Sequence, residues 1–161
     1  MSNLYTYCIS HKNLNFLNTL NLNIIGTGNY SKKPNFYNEN WLKDDSGENI
    51  SFKNKSFGTL TTHYWFWKNM LQSHKKDDWI AFCHYRRFWV KESVGPTIDI
   101  KDLKNNLLNS IPTEDSHYET FLPKKIFVNK IKFTKLIKKG YKNYLRDPSI
   151  LFNNKKNNIE L

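Results

Sequence analysis

Apolar and polar positions alternate along the chain in a few distinct runs. Leu4 to Ser10 (LYTYCIS) is dense in β-formers and bounded by polar residues, which predicts a first strand with His11 just past its carboxyl end. The Asn- and Leu-rich segment from Lys12 to Asn23 reads as a short helix or a loop. Ile24-Ile25 followed by Gly26-Thr27-Gly28-Asn29 reads as a second short strand running into a turn, because the third glycine and the following helix of a dinucleotide loop are both missing. Ser31 to Lys43, with Pro34 and scattered asparagines, reads as a surface loop anchored at its end by Trp41 and Leu42. Within Thr59 to Ser73, Leu60, Tyr64, Trp67 and Leu71 recur at the spacing of one helical face. They predict a helix buried along that face, with Ser56 or Thr59 able to cap its start. After a Lys-Lys-Asp-Asp turn, Trp79 to Cys83 is an unbroken apolar run of strand length, which predicts an interior parallel strand covered on both faces.

Beyond Trp89 the pattern thins. Gly95-Pro96 marks a turn, and Ile100 to Leu108 has helical spacing through Leu103, Leu107 and Leu108. Thr120 to Val128, interrupted by Pro123, fits an edge strand or two extended pieces. Phe133, Leu136, Ile137, Tyr141 and Tyr144 share one helical face opposite a face rich in lysine, Lys132 to Lys142. This is an amphipathic basic helix ended before Pro148, its polar face read either as solvated or as resting on an anionic membrane.

The length of 161 residues suits one core. Hydrophobic residues make up 39% of the chain and aromatics 16%, which excludes disorder, and no apolar run approaches the ~20 residues of a membrane span. The first residues, Met1 to Lys12, do not read as a secretory signal, so a cytoplasmic protein is expected. Cys8 and Cys83 read as isolated, buried, reduced thiols without the spacing of a zinc or redox pair. The formal charge of +11 raises the question of a polyanionic partner. Nearly all of it is lysine, since arginine occurs only at Arg86, Arg87 and Arg146, and abundant Lys, Asn and Ile also fit an AT-rich coding sequence.

The candidate chemistry gathers between Asp44 and Trp89, a stretch that holds four of the five tryptophans. At the end of the apolar run the chain changes abruptly to His84-Tyr85-Arg86-Arg87. A histidine and two arginines at a strand's carboxyl end can meet an anionic ligand as base, proton donor or phosphate clamp. The competing reading pairs Arg86 and Arg87 with surface acids such as Asp77 or Asp78 and leaves His84 as a hydrogen-bonded core residue.

The succession Asp45-x-Gly47-x-Asn49-Ile50-Ser51, Asn54, Leu60-Thr61, Tyr64-Trp65-x-Trp67-Lys68-Asn69 and Cys83-His84-Tyr85-Arg86-Arg87-Phe88 resembles the glycosyltransferase-like family called domain of unknown function 4422, associated with capsule, exopolysaccharide and lipopolysaccharide synthesis. The early strand ending Ser10-His11-Lys12 and, more loosely, Tyr118 to Lys125 belong to the same likeness, which thins after Phe133. The chain departs from the pattern where Gly58-Thr59 replaces an expected Cys-Glu, and the family is expected to continue beyond Leu161, so the chain corresponds to an N-terminal portion or a short, inactive member.

The resemblance implies an α/β, GT-A-like, Rossmann-type sandwich over residues 1–128, followed by the basic helix and polar tail of residues 129–161. It implies a nucleotide-diphosphate sugar donor and a glycan or lipid-linked acceptor, with transfer to a growing surface polysaccharide, while the alternative reading of the Lys132 to Lys142 face adds peripheral contact with the anionic inner face of the membrane. The candidate catalytic residues are His84 and Asp45. Candidate substrate contacts are His11, Asp44, Asn49, Ser51, Asn54, Tyr85, Arg86 and Arg87. No cofactor is firmly implied: two guanidiniums can neutralise a leaving diphosphate without metal, while a divalent Mn or Mg ion would fall to Asp44 and Asp45, which also read as a turn. The alternatives are a basic nucleic-acid-binding module, against which the helix-core spacing of the aromatics argues, and a non-catalytic scaffold of a polysaccharide synthesis complex.

Overall fold

The structure is a computed structural model that describes residues 3–28, 38–93, 98–115, 117–123, 141 and 145. The chain forms two compact units, Met1–His117 and Tyr118–Leu161. In the first, a parallel sheet is built from β1 (Leu4–Ser10), β2 (Asn23–Gly26), β3 (Leu42–Lys43) and β4 (Trp79–His84) in the order β3-β2-β1-β4. This is the α/β, Rossmann-type layout expected from the sequence. The chain winds outward from β1 through β2 to β3, then crosses back to place β4 on the other side of β1.

Alternating side chains of the strands feed two cores, one on each face of the sheet. Tyr7 and Ile25 pack with Trp65 and Phe66 of α2 (Leu60–Asn69), while Cys8, Ile24 and Cys83 pack with Leu17, Leu20 and Leu103 on the opposite side. Leu17 belongs to a 3-10 turn over Asn15–Thr19. Leu103 lies in α3 (Ile100–Asn106), whose N-cap Asp99 accepts the Lys101 amide at 3.2 Å. Burial on both faces is what a parallel sheet requires, because neither face carries enough polar side chains to meet water.

Three expectations are corrected. The helix forms, but the buried face carries Thr61, Thr62, Trp65 and Phe66, and the expected core residues Leu60, Trp67 and Leu71 are exposed. The helix also stops at Asn69, before a 3-10 turn over Leu71–Ser73. Thr59 holds the N-cap position without a side-chain bond, and α1 (Asn54–Phe57), which contains Ser56, is a separate turn of helix. Thr61 and Thr62 turn inward because their hydroxyls bind the buried Asp44 carboxylate, and that requirement outweighs the apolar count. The apolar run Trp79–Cys83 is a strand as expected, but β4 is an edge of the sheet among the described residues, and Ile80 and Phe82 are only half-buried. Its outer backbone is covered from the side, since the Trp89 indole N–H donates to the Phe82 carbonyl at 2.8 Å. Finally, Cys8 and Cys83 are not isolated. They stand opposite each other in the β1–β4 register, both buried and both free thiols.

In the second unit, Thr120–Pro123 is irregular, not strand, and the Tyr118 and Phe121 rings meet edge to face at 5.9 Å. The remainder of the expected strand to Val128, the Gly95-Pro96 turn, most of the Ser31–Lys43 loop, and the basic helix apart from Tyr141 lie outside the described residues.

Candidate functional site

In an open parallel sheet the ligand crevice lies beyond the carboxyl ends of the strands, where the winding direction reverses. The reversal here is between β1 and β4. Both strands deliver candidate residues to that point.

At the end of β1 the buried Ser10 hydroxyl donates to the Lys12 carbonyl at 2.7 Å and accepts the Lys12 amide at 3.2 Å, a tight turn that leaves His11 on the surface. At the end of β4, His84 and Arg87 exchange both backbone hydrogen bonds, at 3.0 and 2.7 Å, so that Tyr85 and Arg86 form the tip of a two-residue turn. Tyr85 folds back into the core, with its hydroxyl 3.4 Å from His11 Nε2. The Arg86 guanidinium lies 4.9 Å from the centre of the Tyr85 ring, and the His11 and His84 rings are 6.0 Å apart. His11, His84, Tyr85, Arg86 and Arg87 therefore form one cluster. Arg86 and Arg87 are exposed and make no ion pair with a described residue. The alternative partners Asp77 and Asp78 stand at the amino end of β4, about 20 Å away along the strand. Asp78 instead accepts the Lys75 and Asn3 amides.

Electrostatics favours neutral imidazoles in this cluster. Partial burial is the main cause of the lowered pKa of His11, with Lys12 and Arg86 adding to it. His84 is likewise lowered by burial first, then by His11, Arg86 and Arg87. A neutral imidazole beside two cations is a proton acceptor next to an anion site.

The acidic candidates lie elsewhere on the same edge. Asp44 follows β3, separated from β4 by β2 and β1, so the sheet spacing puts roughly 14 Å between Asp45 and His84 along the edge. Asp44 is fully buried: its Oδ2 accepts the hydroxyls of Thr27 at 2.7 Å, Thr62 at 2.9 Å and Thr61 at 3.2 Å, while Oδ1 has no hydrogen-bond partner among the described residues. Desolvation raises its pKa, against the hydroxyls and the Gly28 amide, which stabilise the charge. Such a carboxylate does not fit an open divalent-metal site, and among the described residues no group of three or more His, Cys, Asp or Glu could hold a metal ion.

Asn54 joins the same network, with its amide nitrogen 3.1 Å from Thr27 Oγ1 and 3.0 Å from Thr61 Oγ1. Asn49 and Ser51 bind each other, since Asn49 Oδ1 accepts both the amide and the hydroxyl of Ser51. Asp45 is half-exposed. The threonines of the network, Thr27, Thr61 and Thr62, were missed in the sequence. The signal for them was their setting around a glycine turn and at a helix start, where small hydroxylated residues meet backbone and carboxylate groups.

A cavity of about 400 Å³ opens at the amino ends of β2 and β3, between Asn18, Asn21, Asn23 and Trp41. Among the described residues it is lined by no acid, histidine or cation, whereas those groups gather at the carboxyl edge.

A family model described as "Domain of unknown function (DUF4422)" matches residues 5–159, continuing well past Phe133. No curated protein matches the chain. A solved structure titled "WbbM bifunctional glycosytransferase apo structure" is similar at 32% identity over 64% of this chain and 19% of that one, with a TM-score of 0.46. This chain thus spans about a fifth of the length of that protein.

Proposed function

The chain belongs to the DUF4422 family, and on that premise we propose that it is a glycosyltransferase-like protein. In this reading it takes a nucleotide-diphosphate sugar as donor and a glycan or lipid-linked acceptor of a growing surface polysaccharide. The observation that carries the reading is the cluster at the β1–β4 reversal, with two guanidiniums, Arg86 and Arg87, that make no ion pair with a described residue, beside the imidazoles of His11 and His84, both lowered in pKa. When the bond between the anomeric carbon and the diphosphate oxygen breaks, negative charge develops on the diphosphate. Fixed guanidiniums stabilise that charge more in the transition state than before it. His84, neutral and adjacent, accepts the proton of the attacking hydroxyl. Tyr85 positions Arg86 by stacking under it, at 4.9 Å. The half-exposed Asp45 lies further along the same edge, on the side where a donor extending from the diphosphate would present its sugar.

Isothermal calorimetry with a nucleoside diphosphate in excess chelator tests the proposal. Binding is expected without metal, weakened about tenfold or more by Arg86→Ala and little changed by Lys101→Ala on α3, because a guanidinium makes two charge-assisted bonds to one phosphate. Equal losses from both substitutions would reduce the site to a diffuse basic surface, and binding that needs manganese would move it away from the guanidiniums.

A further inference from the structure

Helix α2 buries one face against the sheet and exposes an equally apolar one. Leu60 is 61% exposed and Trp67 55%, two turns apart on α2 with the half-buried Tyr64 between them, while Phe57 of α1, at 52%, precedes the helix and Leu71 of the 3-10 turn, at 42%, follows it. The Tyr64 and Trp67 rings meet edge to face at 5.8 Å, and Lys68 Nζ lies 4.4 Å from the Trp67 ring centre. Single exposed apolar residues are ordinary, but a contiguous stripe of this kind marks a surface that is covered by something.

The charge around the stripe points to the occupant. From Asn49 to Lys76 the sequence contains no acidic residue and five lysines: Lys53, Lys55, Lys68, Lys75 and Lys76. The acids that bound this window are Glu48, already engaged by Lys68 at 3.1 Å and by the Tyr64 hydroxyl at 2.7 Å, and the pair Asp77-Asp78, of which Asp78 accepts the Lys75 amide at 2.9 Å. We infer that the outer face of α1 and α2 docks on an anionic lipid surface, with Leu60, Trp67, Leu71 and Phe57 at the headgroup boundary and the lysines on the lipid phosphates.

Trp and Tyr favour that boundary because one end of each ring system is apolar and the other polar, and lysines reach the phosphates on flexible stems. A second copy of the chain is a poorer fit, since it would bring two lysine rims together. Single-stranded nucleic acid is poorer as well, because half of the stripe is aliphatic and offers no stacking plane. The surface is independent of the proposed transfer chemistry. Docking through it fixes the orientation of the sheet's carboxyl edge, because Thr61 and Thr62 at the start of the same helix hold Asp44 there.

Co-sedimentation of the whole chain with phosphatidylcholine vesicles, with and without phosphatidylglycerol, tests the inference. Binding is expected only with phosphatidylglycerol and should weaken as salt rises. Leu60→Ser with Trp67→Ser should lower the partition coefficient about tenfold or more. These positions are exposed, so the fold and any nucleoside diphosphate binding should remain. As a second variant, Lys53→Glu with Lys55→Glu should lower binding and flatten its salt dependence, whereas Arg86→Ala should leave it unchanged. Failure of the wild-type chain to bind anionic vesicles, or undiminished binding by the Leu60/Trp67 variant, overturns the inference. So does a dimer or a single-stranded RNA complex that the Leu60 and Trp67 substitutions abolish.

Discussion

Asp44, just past β3, and Thr62, in the first turn of α2, are joined by a hydrogen bond of 2.9 Å between the threonine hydroxyl and Asp44 Oδ2. Thr27, on the turn after β2, donates to the same oxygen at 2.7 Å. One buried carboxylate thus ties the carboxyl edge of the sheet to the start of the helix that covers it.

Removing the carboxylate should cost more than neutralising it. Asp44→Ala takes the acceptor from the Thr27 hydroxyl, while Thr61 keeps the Gly58 carbonyl at 3.0 Å and Thr62 keeps Thr27 Oγ1 at 2.8 Å, so a loss of about 1–3 kcal/mol is expected. Asp44→Asn keeps one carbonyl oxygen and removes a desolvated charge, and should cost clearly less. Urea denaturation of the two variants checks the order, and equal losses would show that charge, not hydrogen bonding, is what matters there.

The two faces of α2 predict opposite outcomes for two tryptophans of one motif. Trp65 is buried and its indole N–H donates to the Ser46 carbonyl at 2.8 Å, whereas Trp67 is mostly exposed. Trp65→Ala should destabilise by roughly 3–5 kcal/mol, and Trp67→Ala by less than about 1 kcal/mol. Thermal or urea midpoints decide between this assignment and the reverse one that the apolar spacing suggested.

The strands of this fold were more legible in the sequence than its site. Leu4–Ser10 and Ile24-Ile25 announced themselves by β-formers between turn residues, and Trp79–Cys83 by its length. Leu42–Lys43 did not, because a two-residue strand has no period. The His84–Arg87 cluster was visible as an abrupt change of residue type at a strand end. What could not be read was which polar residues turn inward. Asp44, Asn49, Ser51 and Asn54 have the chemistry of sugar contacts, yet all four also suit a turn or a cap, and their bonds are made within the fold. The proximity of Cys8 to Cys83 depends on register between strands far apart in sequence, which spacing alone does not carry.

Protonation of the histidines should destabilise the fold as pH falls, opposed by Asp44, whose raised pKa lets the folded state take up its proton first. His11, His63 and His84 all have pKa values lowered from 6.5, each mainly by burial. Between their folded values and 6.5 the unfolded chain binds more protons, so the stability these histidines contribute falls as pH drops through that window and levels off below it. A lower melting temperature at pH 5.5 than at pH 7.5 is expected, with the difference reduced in His63→Phe, which removes the imidazole packed on Phe82. A melting temperature unchanged over that range would contradict the shifts.

The thiol pair predicts a chemical signature. The hydrogen bond with Cys8, followed by burial, raises the Cys83 pKa strongly, so its nucleophilic thiolate is suppressed in the folded state. Iodoacetamide at pH 8 should label the native chain slowly and the urea-unfolded chain quickly at both Cys8 and Cys83. Fast native labelling at Cys83 would mean that β4 opens at its edge.

The loop between Asp44 and Ser51 is held from one side by α2 through Ser46 and Glu48, and Gly47 lies between these two contacts. Gly47 has a φ of 54°, a backbone conformation that L side chains rarely adopt, and an added Cβ there would collide with Asn69 Oδ1. That same oxygen accepts the Glu48 amide at 3.1 Å, and the Asn69 amide nitrogen donates to the Glu48 carbonyl at 2.8 Å, so Asn69 cannot move aside without releasing both bonds. Gly47→Ala should therefore cost about 1–3 kcal/mol, combining left-handed strain with the displaced amide. In an Asn69→Ala background the collision is gone and the extra cost of Gly47→Ala should fall to the strain alone, about 1 kcal/mol. A double-mutant cycle measures the difference, and strictly additive losses would show that Gly47 and Asn69 do not share the contact.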